Sequence, residues 1–152
     1  MKNIKQNAWR LFFLLLLTNT VGYIGSAFMT PDTMNWYNAL SLSALTPPDF
    51  VFPVVWTVLF FMMSISAFLV WNMVSPRYFV MQLAMNLAWT FIFFYLREVV
   101  IACFVILVLL YCVFRTIVDF YRVNHISGWL MVPTFMWGLF ALYLNIYIAT
   151  YN

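Results

Sequence analysis

The sequence predicts an all-α integral membrane protein, a bundle of five transmembrane helices. The first observation is composition: 66% of residues are hydrophobic, 22% aromatic and only 7% charged, against about 25% charged in a soluble domain. Seven basic and four acidic side chains cannot cover a water-soluble surface for 152 residues. The second is that these charges cluster and divide the chain into long uncharged runs. The third is run length, close to the roughly 20 apolar residues that cross a bilayer as a helix and too long for membrane strands.

The first span, about residues 9–29, follows Lys2, Lys5 and Arg10. Its basic start, leucine-rich core and small residues near Ala27 imitate a signal peptide. The apolar run nevertheless continues past a normal signal core. Asn19, Gly22, Tyr23 and Ser26 also recur at helical spacing, like one packed face, so the span is retained. A polar loop, residues 30–46, leads to the second span at about 47–71. There Thr46 reads as an N-cap, with Pro47 and Pro48 in the first turn and Asp49 imitating a capping box. Pro53 falls after the predicted start and is expected to bend the helix above Trp56. The third span, about 77–96, ends at an Arg97-Glu98 turn. The fourth, about 99–121, reaches past Arg115, whose charge is expected to snorkel to the interface. After a loop with Arg122 and His125, the fifth span covers about 127–149 and repeats the proline–tryptophan spacing in Pro133 and Trp137.

Basic residues set the orientation. Lys2, Lys5, Arg10, Arg77, Arg115 and Arg122 fall on one side of a five-span chain and Arg97 on the other, so the N-terminus is expected in the cytoplasm. Topology accounts for the net charge of +3 without a nucleic-acid partner. No metal site is expected, because His125 stands alone and there is no acid cluster or Cys-x-x-Cys. Cys103 and Cys112 lie on opposite faces of one helix and cannot pair with each other. The first three spans hold no interior ionisable group, which argues against a proton-coupled exporter, and nothing supplies a hydrolytic triad or carboxylate pair.

Three stripes point to an interior site. Trp56, Phe60, Met63 and Ala67 share a face of the second span; Gln82, Asn86 and Thr90, with Trp89 alongside, share one of the third; Pro133, Trp137, Ala141 and Asn145 follow at four-residue steps in the fifth. Amides in lipid must find partners, so Gln82, Asn86 and Asn145 are expected to face inward. They read either as glue between helices or as the polar points of an aromatic pocket for a flat hydrophobic ligand.

The segments WYNAL (36–40), TPPDFVFPVVWTVLF (46–60), AFLVW (67–71), QLAMNLAWTFIFF (82–94) and WLMVPTFMWGLFALYLN (129–145) resemble the TspO/MBR family. These are the tryptophan-rich sensory proteins of bacteria and the mitochondrial translocator protein. The resemblance covers all five spans in order. It implies a homodimeric five-helix bundle that binds protoporphyrin, haem or similar flat hydrophobic ligands, with residues 30–46 as a lid and no required cofactor. It also implies a pocket of Tyr37, Trp56, Phe60, Asn86, Trp89, Thr90, Trp137 and Ala141. An alternative is a light- and oxygen-dependent porphyrin-degrading enzyme using Trp56 and Trp137. Ala84 and Ala88 form a small-residue pair on the helix that family dimers use. A bacterial inner membrane is the first expectation, with mitochondrial or outer-membrane placement open.

Two departures weaken the likeness locally. Ser43-Ala44-Leu45 stands where the family carries a loop tryptophan, and Thr134 follows Pro133 where a tyrosine is usual. No basic residue follows Tyr147 or Tyr151, so no specific sterol site is expected.

Overall fold

In a computed structural model, residues 2–152 are described, with side chains described from Ala8 onward. The expectation resting on Lys2 and Lys5 concerns side chains outside that range. The described residues form α1 (Lys2–Ser26), α2 (Pro31–Asn38), α3 (Val51–Leu69), α4 (Arg77–Thr90), a π-helical turn (Phe91–Tyr95), α5 (Val99–Val123) and α6 (His125–Tyr151). Five stretches are long and apolar enough to cross a membrane: Ala8–Ser26, Val51–Leu69, Arg77–Tyr95, Val99–Val123 and His125–Tyr151. Their packing closes a ring, with α1 against α3, α3 against α6, α6 against α5, α5 against α4 and α4 back against α1.

Lipid tails are as apolar as leucine, so burial of apolar surface does little to hold such helices together. Close approach and interhelical hydrogen bonds do it instead. Gly22 of α1 lets the Phe60 ring lie so near that a Cβ there would come within 2.6 Å of it, and Gly138 of α6 similarly admits Leu110. Buried hydroxyls join the same helices: Thr18 and Ser64 are 2.7 Å apart between α1 and α3. Ser66 donates to the Ser127 carbonyl at 2.7 Å, and Ser127 returns a 2.7 Å bond to the Ser66 carbonyl. These contacts fix the packed face of α1 as Leu14, Thr18, Gly22 and Gly25. The face expected from Asn19, Tyr23 and Ser26 is corrected accordingly, for Tyr23 is 79% exposed.

The entrance to α3 also differs from expectation. The helix begins at Val51, Phe50 precedes it without a side-chain cap, and Thr46 caps nothing. The reason is steric: a residue before proline is pushed out of the helical region, and Thr46 and Pro47 both precede one. The chain therefore stays irregular through Pro48 and turns once, Val51 N–H donating to the Pro48 carbonyl, before the helix starts. Pro53 then falls in the first turn, where no intrahelical partner is lost, so it does not bend α3. The capping chemistry sits one loop earlier. Thr30 accepts from the Thr33 N–H at 3.3 Å with Pro31 in the first position, and so nucleates α2 within the segment expected to be a plain loop. His125 likewise opens α6 rather than lying in a loop, and it stacks on Tyr121 at 4.5 Å.

At the far end of α4 the backbone widens into the π turn, and the Leu96 N–H reaches back to the Phe91 carbonyl. The chain reverses through Arg97, whose φ of 58° is left-handed. The Arg97 guanidinium pairs with Asp32 of α2 and lies 5.6 Å from the Trp36 ring centroid, so the turn is tied to the lid. Both partners are well exposed, and such a pair contributes about 0–1 kcal/mol.

Candidate functional site

The lid closes one end of the ring. It is held by Thr33, which donates to the Phe28 carbonyl at 3.0 Å, and by Ser43, whose hydroxyl meets that of Tyr143 at 2.9 Å. The Ser41 N–H donates to Asn152 Oδ1 at 2.7 Å. Tyr37 hangs beneath α2 against Phe93 and Phe94, with ring centroids 6.2 and 5.9 Å away. Burial pushes the Tyr37 phenol above its ordinary pKa, and the negative charge of Asp49 adds to this, so it stays a neutral hydroxyl through the physiological range.

Under the lid is a cavity of about 90 Å³. Its walls are mainly aromatic: Tyr37, Phe52, Trp56, Trp89, Phe93 and Phe94. Ala141, Leu144, Asn145 and Ile148 complete it from α6, and Asp49 lies on its lid side. Trp89 is fixed at both ends. Its ring stacks on Phe93 at 5.6 Å, and its indole N–H donates to Asn145 Oδ1 at 3.0 Å. The Asn145 amide nitrogen in turn donates to the Val99 carbonyl at 2.8 Å. A second cavity of about 380 Å³ adjoins the first between α1, α3 and α4, lined by Gly22, Gly25, Phe60, Asn86 and Thr90 and sharing Trp56 and Trp89.

Of the residues expected at the site, Tyr37, Trp56, Trp89 and Ala141 thus line the cavity beneath the lid, and Phe60, Asn86 and Thr90 line its neighbour. Trp137 lines neither. It packs edge-on to Phe52 at 5.9 Å and against Phe140 at 5.5 Å, outside the cavity wall. Pro133 is exposed. The cause is helical drift: at about 100° per residue, each four-residue step walks about 40° around the axis, so Pro133 and Asn145 lie about 120° apart. The inward stripe of α6 is instead Met131, Thr134, Gly138, Asn145 and Ile148. Gln82, Asn86 and Asn145 are all buried inside the ring. Leu45, in the place of the expected loop tryptophan, is 64% exposed and away from the cavity. Ala84 faces outward and Ala88 is half-buried. Among the described residues no group of three His, Cys, Asp or Glu gathers as metal ligands.

The residues not anticipated are Phe52, Phe93, Phe94, Leu144 and Ile148. Ile148 had a signal in its three-residue spacing from Asn145. Phe93 and Phe94 had none, because both turn inward only where the backbone widens into the π turn.

The architecture is that of a polytopic helical membrane protein with an aromatic cavity under a helical lid. The sequence model of the TspO/MBR family matches residues 13–151. A tryptophan-rich sensory protein of Cereibacter sphaeroides is 32% identical over 90% of this chain and 88% of its own length. The tryptophan-rich protein TspO of Chlorobaculum tepidum is 36% identical over 87% and 89%, and the human translocator protein 30% over 81% and 78%. The chain belongs to the TspO/MBR family.

Proposed function

We propose that the protein is a membrane receptor or transport-associated protein that binds tetrapyrroles and similar flat hydrophobic ligands in the cavity under its lid. The observation that carries this reading is the wall itself: six aromatic rings around one cavity, with Asn145 and Asp49 as the polar points. Flat π-systems stack on such rings, each contact contributing about 0.5–1.5 kcal/mol beyond area burial. Trp89, held by Asn145 and Phe93, is preorganised for this and loses little freedom on binding. Titrating the purified protein with protoporphyrin in the dark, read by tryptophan quenching, tests it. Saturable one-site binding that weakens in Trp89→Ala is expected, and linear, unsaturable quenching overturns the reading.

A light- and oxygen-dependent degradation of porphyrin is the second reading. It is favoured by Trp56, an indole on the wall of both cavities and therefore beside any ligand that enters. The membrane is taken as a bacterial inner membrane with the N-terminus cytoplasmic, from the excess of basic residues on that side. The dimer is assigned to the outward small-residue surface of α4 at Ala84 and Ala88.

A further inference from the structure

Below Trp56, on the side away from the lid, lies a small recess lined by Gln82, Asn86, Thr134 and Gly138 among apolar side chains. Gln82 is 1% exposed, and neither its amide nitrogen nor its amide oxygen has a partner among the described residues. The Thr134 hydroxyl, in a residue 4% exposed, has none either. Three unpartnered polar atoms in two residues that line one space are costly at membrane depth unless something in that space bonds them. The space is the right size for one oxygen. It leaves about 10 Å³ open to the centre of a water molecule, and one water needs roughly 10–15 Å³.

The chemistry of the lining narrows the occupant. The Gln82 nitrogen needs an acceptor and its oxygen needs a donor. A carbonyl or ether oxygen only accepts, and an ammonium only donates. A hydroxylic oxygen does both. We propose that this recess is a binding site for one water molecule, which bridges the Gln82 amide of α4 and the Thr134 hydroxyl of α6. The two helices are not neighbours in the ring, so the water is a strut across the bundle interior. Trp56 separates it from the cavity under the lid. The site stands whether or not that cavity binds a tetrapyrrole.

The test is water-edited solid-state NMR of the isotopically labelled protein in lipid bilayers, without added ligand. Magnetisation from water is expected to reach the Gln82 side-chain amide severalfold sooner than Met131, which is equally buried at 0% exposure but lies off the recess. In Thr134→Val, which keeps the shape and removes one anchor, that early transfer is expected to be lost. Transfer to Gln82 no faster than to Met131 in the parent protein means a dry recess and overturns the proposal, even if the variant fails to fold. Undiminished transfer in a folded Thr134→Val removes Thr134 from the site and overturns the bridge.

Discussion

Replacing Asn145 with leucine tests whether one buried amide both holds the bundle and sets the cavity wall. The substitution keeps the branched four-atom skeleton of the side chain, so it opens no cavity. What it removes is the 3.0 Å bond from the Trp89 indole and the 2.8 Å bond to the Val99 carbonyl, with a weaker 3.0 Å donation to the Cys103 Sγ beside them. Hydrogen bonds between membrane helices average about 0.6 kcal/mol and reach about 1.7. Two of them give about 1.2–3.4 kcal/mol, and relief of the freed indole N–H by cavity water favours the lower half. A loss of about 1–2.5 kcal/mol is therefore expected in reversible unfolding measured in bicelles. Trp89→Phe removes the indole bond together with part of the ring, and the double-mutant cycle with Asn145→Leu, which cancels what does not involve Asn145, should return a coupling of about 0.6–1.7 kcal/mol. If about 1 kcal/mol of that serves to hold Trp89 against Phe93, porphyrin affinity falls about fivefold in Asn145→Leu. A coupling under about 0.3 kcal/mol, within ordinary additivity, would refute the claim that this bond positions the indole.

Four other outcomes follow from the same geometry. Gly128→Ala should destabilise, although alanine normally improves a helix interior by about 1 kcal/mol, because its Cβ meets the Tyr121 Cα at 2.8 Å and backbone there cannot yield; Gly138→Ala, which meets only the Leu110 Cδ2 at 2.8 Å, should cost less in the same unfolding assay. Protoporphyrin bleaching under light, if present, should be lost in Trp56→Phe and kept in Trp137→Phe, since only Trp56 lines the cavities; equal rates in both variants and the parent would end the enzymatic reading. Tyr37 titrates above its usual value near 10, being buried and beside Asp49. The folded state thus holds that proton more tightly, its contribution is complete below about pH 10 and falls as pH rises further. Hydrogen exchange of the lid should therefore accelerate above that pH in the parent, and the step should shrink in Tyr37→Phe. Finally, cysteine at outward-facing Ala84 should cross-link two copies in membranes; failure at every probe length would remove α4 as the dimer surface.

Most of the bundle was legible because charge is scarce and costly in lipid: Arg, Asp and Glu fall between the spans or toward their ends. The amides were legible for the same reason, and Gln82, Asn86 and Asn145 are buried where unpaired polarity forces them. Serine and threonine carry a weaker signal, since each can bond its own helix. The Thr18–Ser64 and Ser66–Ser127 contacts that join three helices therefore gave no warning. Trp137 was misplaced because a four-residue rhythm looks continuous on paper yet spirals away from its face in space. The start of α3 was misplaced because Pro47 and Pro48 restrict their predecessors more than they favour a first turn. The π turn had no precursor in the residues at all. It accompanies the packing of Phe93 and Phe94 against Tyr37 of the lid.

Trp56 is a party wall: one indole bounds the chamber under the lid, the space beside α1 and the small recess below. Enlarging or shrinking it changes three compartments together, so a change in binding at a Trp56 variant does not say which of them was altered. Leu144, Thr90 and Thr134 each face a single compartment and are the positions from which the three can be told apart.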